Sequence, residues 1–128
     1  MKKNAGQNKQ RKKKVQHHAE SILQHPEDRE RCYMCMLRND DYSEPEYLER
    51  HHVMFGAGRR KKAEADGLTV MLCRSHHYEV HHDNTSRRGL CVIAQREYEK
   101  THTRAEWMDR YGRNYLEEEK QNEGSRSD

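Results

Sequence analysis

Apolar residues occur along this chain in short runs that are separated by long polar stretches. Two runs have the length of a strand, Tyr47–Phe55 and Leu68–Leu72, and the turn signal Asp66-Gly67 precedes the second. The glycine-containing segment 56–58 ends the first run. We therefore predict two short β-strands.

Helical spacing predicts two helices around these strands. The first covers Val15–Gln24 and is stopped by Pro26. The second starts at His76, so that His77 and His81 lie one turn apart on a shared face.

Two further helices are predicted towards the C-terminus. One is indicated by an apolar stripe at helical spacing, formed by Leu90, Ile93, Ala94 and Tyr98. The other begins at the capping box from Thr103 to Glu106 and ends at Gly112. Its expected inward-facing residues are Trp107, Met108 and Tyr111. Strands and helices in this order predict an α+β fold.

The composition indicates a domain with a lean core. Only 31% of the 128 residues are hydrophobic and 37% are charged. Small domains of this kind commonly gain stability from a structural metal ion. No apolar stretch resembles a signal peptide or a membrane span, so we expect a cytoplasmic chain with reduced thiols and no membrane partner.

Charge is distributed unevenly along the chain. Residues 2–14 hold seven Lys/Arg and no acid, whereas the rest is net acidic, since the whole chain has 25 basic and 22 acidic residues. We predict a disordered basic arm at 1–14, suited to nucleic-acid phosphates or to nuclear targeting. The folded domain is expected at 15–116, followed by a disordered acidic tail at 117–128.

Two pairs with x2 spacing predict a structural zinc site, formed by Cys32, Cys35, Cys73 and His76. Each pair brings two ligands to one side of an ion, and the second pair completes the tetrahedron. The alternative is a set of unrelated buried or free thiols. Cys91 is either an ordinary helix cysteine or a ligand in place of His76.

Six histidines form three adjacent pairs, His51-His52, His76-His77 and His81-His82. If His76 completes the zinc site, His77 and His81 can bind a second ion from one helix face. Adjacent strand residues point to opposite faces, so one histidine of the first pair can reach this ion. The other then lies beside the ion in the position of a general base, unless these histidines are simply exposed.

Together these segments resemble the HNH (His-Me finger, ββα-metal) endonucleases, in particular small phage-associated members. The resemblance spans about residues 30–116 and is carried by Cys32-Tyr-Met-Cys35, Glu49 to Phe55, Gly67 to Cys73, His77-x3-His81 and Tyr111 to Leu116. It implies a zinc-stabilised ββα-metal core with flanking N- and C-terminal helices. It also implies metal-dependent hydrolysis of DNA phosphodiester bonds.

Carried over by position, His51, His77 and His81 resemble the ligands of the catalytic ion, with His82 as an alternative to His81. His52 resembles the general base that activates water. The middle Asn of the family pattern falls near Leu68, so a backbone carbonyl would have to orient His52.

The resemblance and the ligand types also limit cofactors and partners. Three imidazoles favour Zn²⁺, Ni²⁺ or Mn²⁺, with Mg²⁺ an option if Glu49 contributes. The basic residues Arg59, Arg60, Lys61 and Lys62 are candidate DNA phosphate contacts or a solvated loop. A phage protein of this kind would act in the cytoplasm of a bacterial host, with packaging or recombination proteins as candidate partners.

Two other functions fit parts of the sequence. A non-catalytic, zinc-stabilised DNA-binding protein fits the basic arm and two C-terminal helices arranged as a helix-turn-helix. A thiol redox protein using Cys32 and Cys35 leaves the histidines unexplained and lacks a βαβ context.

Overall fold

The structure is a computed structural model that describes residues 19–126. Within this range a short 3-10 turn, Pro26–Asp28, precedes two strands and six helices. They follow the order α1 (Tyr33–Asn39), β1 (Leu48–His52), α2 (Arg59–Asp66), β2 (Thr69–Cys73), α3 (Arg74–His82), α4 (Asn84–Tyr98), α5 (Arg104–Tyr111) and α6 (Tyr115–Arg126). The predicted α+β class is confirmed.

The two strands form an antiparallel sheet whose register fixes the histidines. His51 pairs with Val70, and Glu49 pairs with Leu72. Because side chains alternate along a strand, Glu49 and His51 share one face of the sheet. Helix α3 begins at the residue after β2, and it contacts both strands. The β1 histidine pair therefore lies beside the helix that carries the other two pairs.

The core between α4, α5 and α6 is built from aromatic rings. Trp107 is fully buried, with its ring centroid 4.4 Å from that of Tyr111 and 5.3 Å from that of Tyr98. The fully buried Gln95 accepts hydrogen bonds from the backbone N–H groups of Tyr115 and Leu116, which ties α4 to α6. The prediction that Trp107 and Tyr111 of α5 face inward is therefore confirmed.

The N-terminal helix predicted at Val15–Gln24 is wrong for residues 19–24, which are not helical and form bends at 22–24; residues 15–18 lie outside the described residues. The backbone N–H groups of Leu23 and Gln24 both donate to the hydroxyl of Ser21, and this hydroxyl donates to the carbonyl of Thr69. Side-chain and strand contacts therefore replace the helical hydrogen bonds that the spacing predicted.

The structure replaces the loop alternative for the basic tetrapeptide and the disorder predicted for the acidic tail with helices. Arg59–Lys62 forms the first turn of α2, which starts after Gly58 in the left-handed conformation. The expected disordered tail from residue 117 is instead part of α6 as far as Arg126. Glu117 and Glu118 lie in the first turn of α6, where negative charge is favourable. The basic arm 1–14 and residues 127–128 lie outside the described residues.

Within residues 19–126, no helix combines the length and the apolar character needed to cross a bilayer.

Gly67 offers a direct test of the turn before β2. Its φ is +74°, and a Cβ atom there would overlap the backbone carbonyl of Glu20. We expect Gly67→Ala to lower the free energy of unfolding by about 2 kcal/mol or more, because left-handed strain adds to the overlap. Thermal and denaturant unfolding measure the change.

Gly89→Ala is the matched control. Gly89 lies inside α4 with open space around it, so alanine there should stabilise the protein by about 0.5–1 kcal/mol. Equal free energies of unfolding for Gly67→Ala and Gly89→Ala would contradict the left-handed turn at Gly67.

Candidate metal centres

The first candidate centre joins α1 to the β2–α3 junction. Cys32 is the N-cap of α1 and Cys35 lies in its first turn, whereas Cys73 ends β2 and His76 lies in the first turn of α3. Their four ligand atoms all lie within 4.8 Å of one another. This set is the one that the x2 spacings predicted.

The interatomic distances fit a tetrahedral site. The Nδ1 atom of His76 is 3.4 Å from the sulfurs of Cys32 and Cys73 and 3.5 Å from that of Cys35. The sulfurs of Cys35 and Cys73 are 4.0 Å apart. With tetrahedral angles, bonds of about 2.3 Å to sulfur and 2.0–2.1 Å to nitrogen would separate nitrogen from sulfur by about 3.6 Å and two sulfurs by about 3.8 Å. One ion could therefore contact all four atoms with small adjustments.

Thiol ionisation within this cluster is divided unequally. Burial opposes ionisation of Cys73, but hydrogen bonds from the backbone N–H of His76, from the Ser75 hydroxyl and from the thiols of Cys32 and Cys35 outweigh it and lower the pKa to about 6. Burial and the neighbouring Cys32 raise the pKa of Cys35 to about 12. A metal ion that binds here has to displace the remaining thiol protons, so its affinity should fall with acidity.

Cys91 does not belong to this cluster. It is buried on α4, and its thiol lies 3.7 Å from the carbonyl oxygen of Val53. Burial raises its pKa to about 11, which keeps the thiol protonated. The ordinary helix-cysteine interpretation therefore fits, and the interpretation in which Cys91 replaces His76 does not.

The second candidate centre is formed by His51 from β1 with His77 and His81 from α3. One nitrogen from each ring lies within 4.8 Å of the others. The Nε2 atoms of His77 and His81 are 3.1 Å apart. Two nitrogens bound to one ion at about 2.0–2.1 Å are separated by about 2.9–3.4 Å, for octahedral to tetrahedral angles. The described arrangement can therefore hold a single ion.

His51 supplies independent support for an ion at this position. Its side chain is 4% exposed, and its Nε2 atom is buried with no hydrogen-bond partner among the described residues. Burial, followed by the charges of His77 and His81, lowers the pKa of His51 to about 3. A neutral imidazole with an unsatisfied buried nitrogen is expensive to maintain unless a ligand contacts it.

A carboxylate orients the second ligand of this centre. The Nδ1–H of His77 donates to Glu49, which also accepts a hydrogen bond from the hydroxyl of Tyr47. The guanidinium of Arg74 lies 4.0 Å from the centroid of the Tyr47 ring. With its proton on Nδ1, His77 presents the lone pair of Nε2 towards His81 and the centre.

His52 lies next to this centre but outside the ligand set. Its Nε2 atom is 2.6 Å from a carboxylate oxygen of Glu64 on α2, and the side chain is 14% exposed. The hydrogen-bond partner of the His52 ring is thus Glu64 and not a backbone carbonyl near Leu68. The sequence did not indicate Glu64, because no helix was predicted at residues 59–66.

His82 is separate from both centres. Its ring stacks on Tyr78 at 3.9 Å, and its Nδ1–H donates to the Tyr78 carbonyl. Among the alternatives that the sequence left open, the structure therefore places His81, and not His82, with His51 and His77.

The histidine cleft is the cavity of about 350 Å³ onto which the second centre opens. Its walls include His51, His52, His77 and His81, together with Arg50 and Arg60. Two of the four predicted phosphate contacts point elsewhere, because Arg59 donates to the Tyr111 carbonyl and Lys62 to the Arg110 carbonyl. Arg50 is a basic wall residue that the sequence did not indicate.

Comparisons with known protein families, with curated proteins and with solved structures found no match for this chain. Its function therefore has to be inferred from the geometry of the two centres.

The first prediction for these centres concerns metal content. Cys32→Ala should lose one tightly held ion and unfold cooperatively at a lower temperature, because the remaining three ligands leave the site open. Cys91→Ala, the matched control, should retain the ion. Elemental analysis and thermal unfolding measure both effects; loss of the ion in the control alone would contradict the assignment.

The second prediction concerns Glu49. Glu49→Gln should weaken metal binding at the three-histidine centre by roughly tenfold or more, because the amide supports the His77 tautomer without negative charge. Cobalt titration followed by visible absorption measures the affinity. Glu46→Gln changes an exposed acid nearby and should leave it unaltered. Equal affinities of the two variants would show that Glu49 does not support the centre.

Proposed function

We propose that this protein is a metal-dependent endonuclease of the HNH type, which hydrolyses phosphodiester bonds in DNA. The observation that carries the proposal is the convergence of His51, His77 and His81 on one point, with His52 beside them in the same cleft. Three ligands for an ion and one imidazole outside the ligand set are the groups that metal-assisted hydrolysis requires.

The order of elements also supports this proposal. Strands β1 and β2 pair antiparallel, α3 follows β2 directly, and the histidines come from β1 and α3. This is the ββα arrangement that the resemblance implies, here with α2 inserted between the strands. Among solved structures, however, no match is found, so the HNH assignment rests on the local arrangement.

The ligands suit a divalent transition metal such as Zn²⁺, Ni²⁺ or Mn²⁺. Mg²⁺ prefers oxygen ligands, and the carboxylate of Glu49 is engaged by His77 and Tyr47. When bound, the ion would supply Lewis-acid stabilisation of charge on the scissile phosphate and on the leaving 3′ oxygen.

His52 and Glu64 would move the proton. With Nε2–H donated to Glu64, the other ring nitrogen of His52 is left as the acceptor for a proton from the attacking water. The carboxylate fixes this tautomer and stabilises the imidazolium that forms, as the buried aspartate does in serine-protease triads. Glu64 is thus the proposed positioning residue for the base.

The Cys3His centre would hold a structural Zn²⁺ and leave no open position for substrate. A closed site of this kind can contribute about 10–16 kcal/mol of apparent binding free energy to folding. The structural and the proposed catalytic centre are linked through the chain, because their ligands His76 and His77 are consecutive residues of α3.

The proposed partner is DNA, with phage packaging or recombination proteins as further candidates, in the cytoplasm of a bacterial host. A non-catalytic DNA-binding role is the second candidate. This role would use α5 as a recognition helix, and it has less support because the Trp107 and Tyr111 side chains of this eight-residue helix are buried. Cleavage assays separate the two roles.

The decisive experiment is nicking of supercoiled plasmid with Zn²⁺, Ni²⁺, Mn²⁺ or Mg²⁺, and with a chelator. His52→Ala should lower the rate by about 10²–10⁴-fold while its metal content stays unchanged, because only the base is removed. Glu64→Gln should slow cleavage by a smaller factor at unchanged metal affinity.

His25→Ala is the matched control, since the exposed His25 ring lies away from the histidine cleft and pairs with Glu27 on the surface. It should cleave at the wild-type rate. Undiminished cleavage by His52→Ala would remove this residue as the base. DNA binding by the wild type without cleavage in any metal would favour the non-catalytic role.

A further inference from the structure

A second, smaller cavity adjoins the histidine cleft and is lined by three arginines. Its volume is about 60 Å³, and its basic residues are Arg87 and Arg88 from α4 and Arg113 from the α5–α6 connection. The ring of Phe55 lines both this cavity, called here the arginine pocket, and the histidine cleft. The two cavities therefore share a wall.

The arginine pocket carries excess positive charge. Arg113 forms an ion pair with Glu118 at 2.9 Å, so one of the three charges is neutralised. Arg87 donates to the side-chain oxygen of Asn84 at 2.6 Å and to the carbonyl of His81, and both of these acceptors are neutral. Among the side chains of residues 19–121, no carboxylate lies within 4.0 Å of the guanidinium of Arg87 or Arg88. None of the residues that line the pocket is acidic.

Arg87 is held in a defined orientation beside the histidine cleft. Its guanidinium carbon lies 4.9 Å from the centroid of the Phe55 ring, and its hydrogen bond reaches the carbonyl of His81, a ligand of the second centre. A guanidinium fixed by stacking and by a backbone contact loses little freedom when it binds an anion. The arginine pocket is thus preorganised next to the proposed site of cleavage.

The size of the pocket limits what it can accept. Its volume of about 60 Å³ is far below the several hundred Å³ of sites that enclose a drug-sized ligand, so the pocket suits a small group such as a tetrahedral oxyanion. Half-buried guanidinium groups are well suited to phosphate, which they bind through paired N–H donors.

We propose that the arginine pocket binds a phosphate of the same DNA strand whose scissile phosphate lies in the histidine cleft. This inference rests on the proposed endonuclease function and deepens it, because it assigns a substrate-positioning role to Arg87 and Arg88. The flanking phosphate holds the strand in register beside His52 and contributes to binding rather than to bond cleavage.

The test measures DNA binding by fluorescence anisotropy with a labelled 30-base-pair duplex over a range of salt concentrations. The His52→Ala background prevents cleavage during titration. Arg88→Gln and the double variant Arg87→Gln/Arg88→Gln should bind roughly tenfold more weakly. The slope of log affinity against log salt should be smaller by about 1, as expected for the loss of one phosphate contact.

Arg96→Gln is the matched control, because Arg96 is an exposed residue of the same helix. It removes one charge away from the pocket and should leave the affinity and the slope close to those of the parent. If Arg88→Gln and Arg96→Gln have equal affinities and slopes, the inference is overturned.

Folding and function are controlled separately. Arg88 makes no ion pair or side-chain hydrogen bond among the described residues, so Arg88→Gln should keep the metal content and the melting temperature of the parent; the single variant carries the test if the double variant unfolds. In the catalytically intact protein, Arg88→Gln should raise KM for DNA and preserve kcat, whereas a lower kcat at unchanged KM would overturn the positioning role. A third outcome separates the two proposals. If the wild type binds DNA without cleaving it, and Arg88→Gln still lowers the slope of log affinity against log salt, the endonuclease proposal fails while the phosphate-binding pocket stands.

Discussion

The junction between β2 and α3 is the constraint on which both candidate centres depend. Cys73 is the last residue of the strand and the N-cap of the helix, so the chain turns from sheet to helix at a candidate metal ligand. Three residues later, His76 and His77 point to different centres because adjacent helix positions face different directions. A change in the path of the chain at Cys73 would therefore displace ligands of both centres.

Two carboxylate–imidazole pairs flank the histidine cleft and have different roles. Glu49 bonds His77, whose other nitrogen faces the ligand cluster, and Glu64 bonds His52, which lies outside the cluster. The same pairing thus supports a ligand in one case and a proposed base in the other. The difference arises from strand alternation, because His51 is directed towards α3 and His52 is directed towards α2.

Much of this arrangement could be predicted from local sequence. The x2 spacings, the i, i+4 histidines and the alternation of a strand follow from backbone geometry alone, which is why the two clusters contain the expected residues. The capping box at Thr103 was equally predictable, since it is a contact between residues three positions apart. Local signals failed at residues 19–24, where strand contacts determine the conformation, and at α6, which is fixed by Gln95 of α4.

The sequence by itself therefore determined which side chains can act as metal ligands, because these depend on residue type and on spacing along one strand or one helix. Only the tertiary structure decided which groups surround them. Glu64 and the arginine pocket reach the histidine cleft from elements separated from β1 along the chain, and their positions depend on how α2 packs against β1 and how α4 packs against α3. No periodicity along the chain encodes such contacts, since they arise from packing between elements.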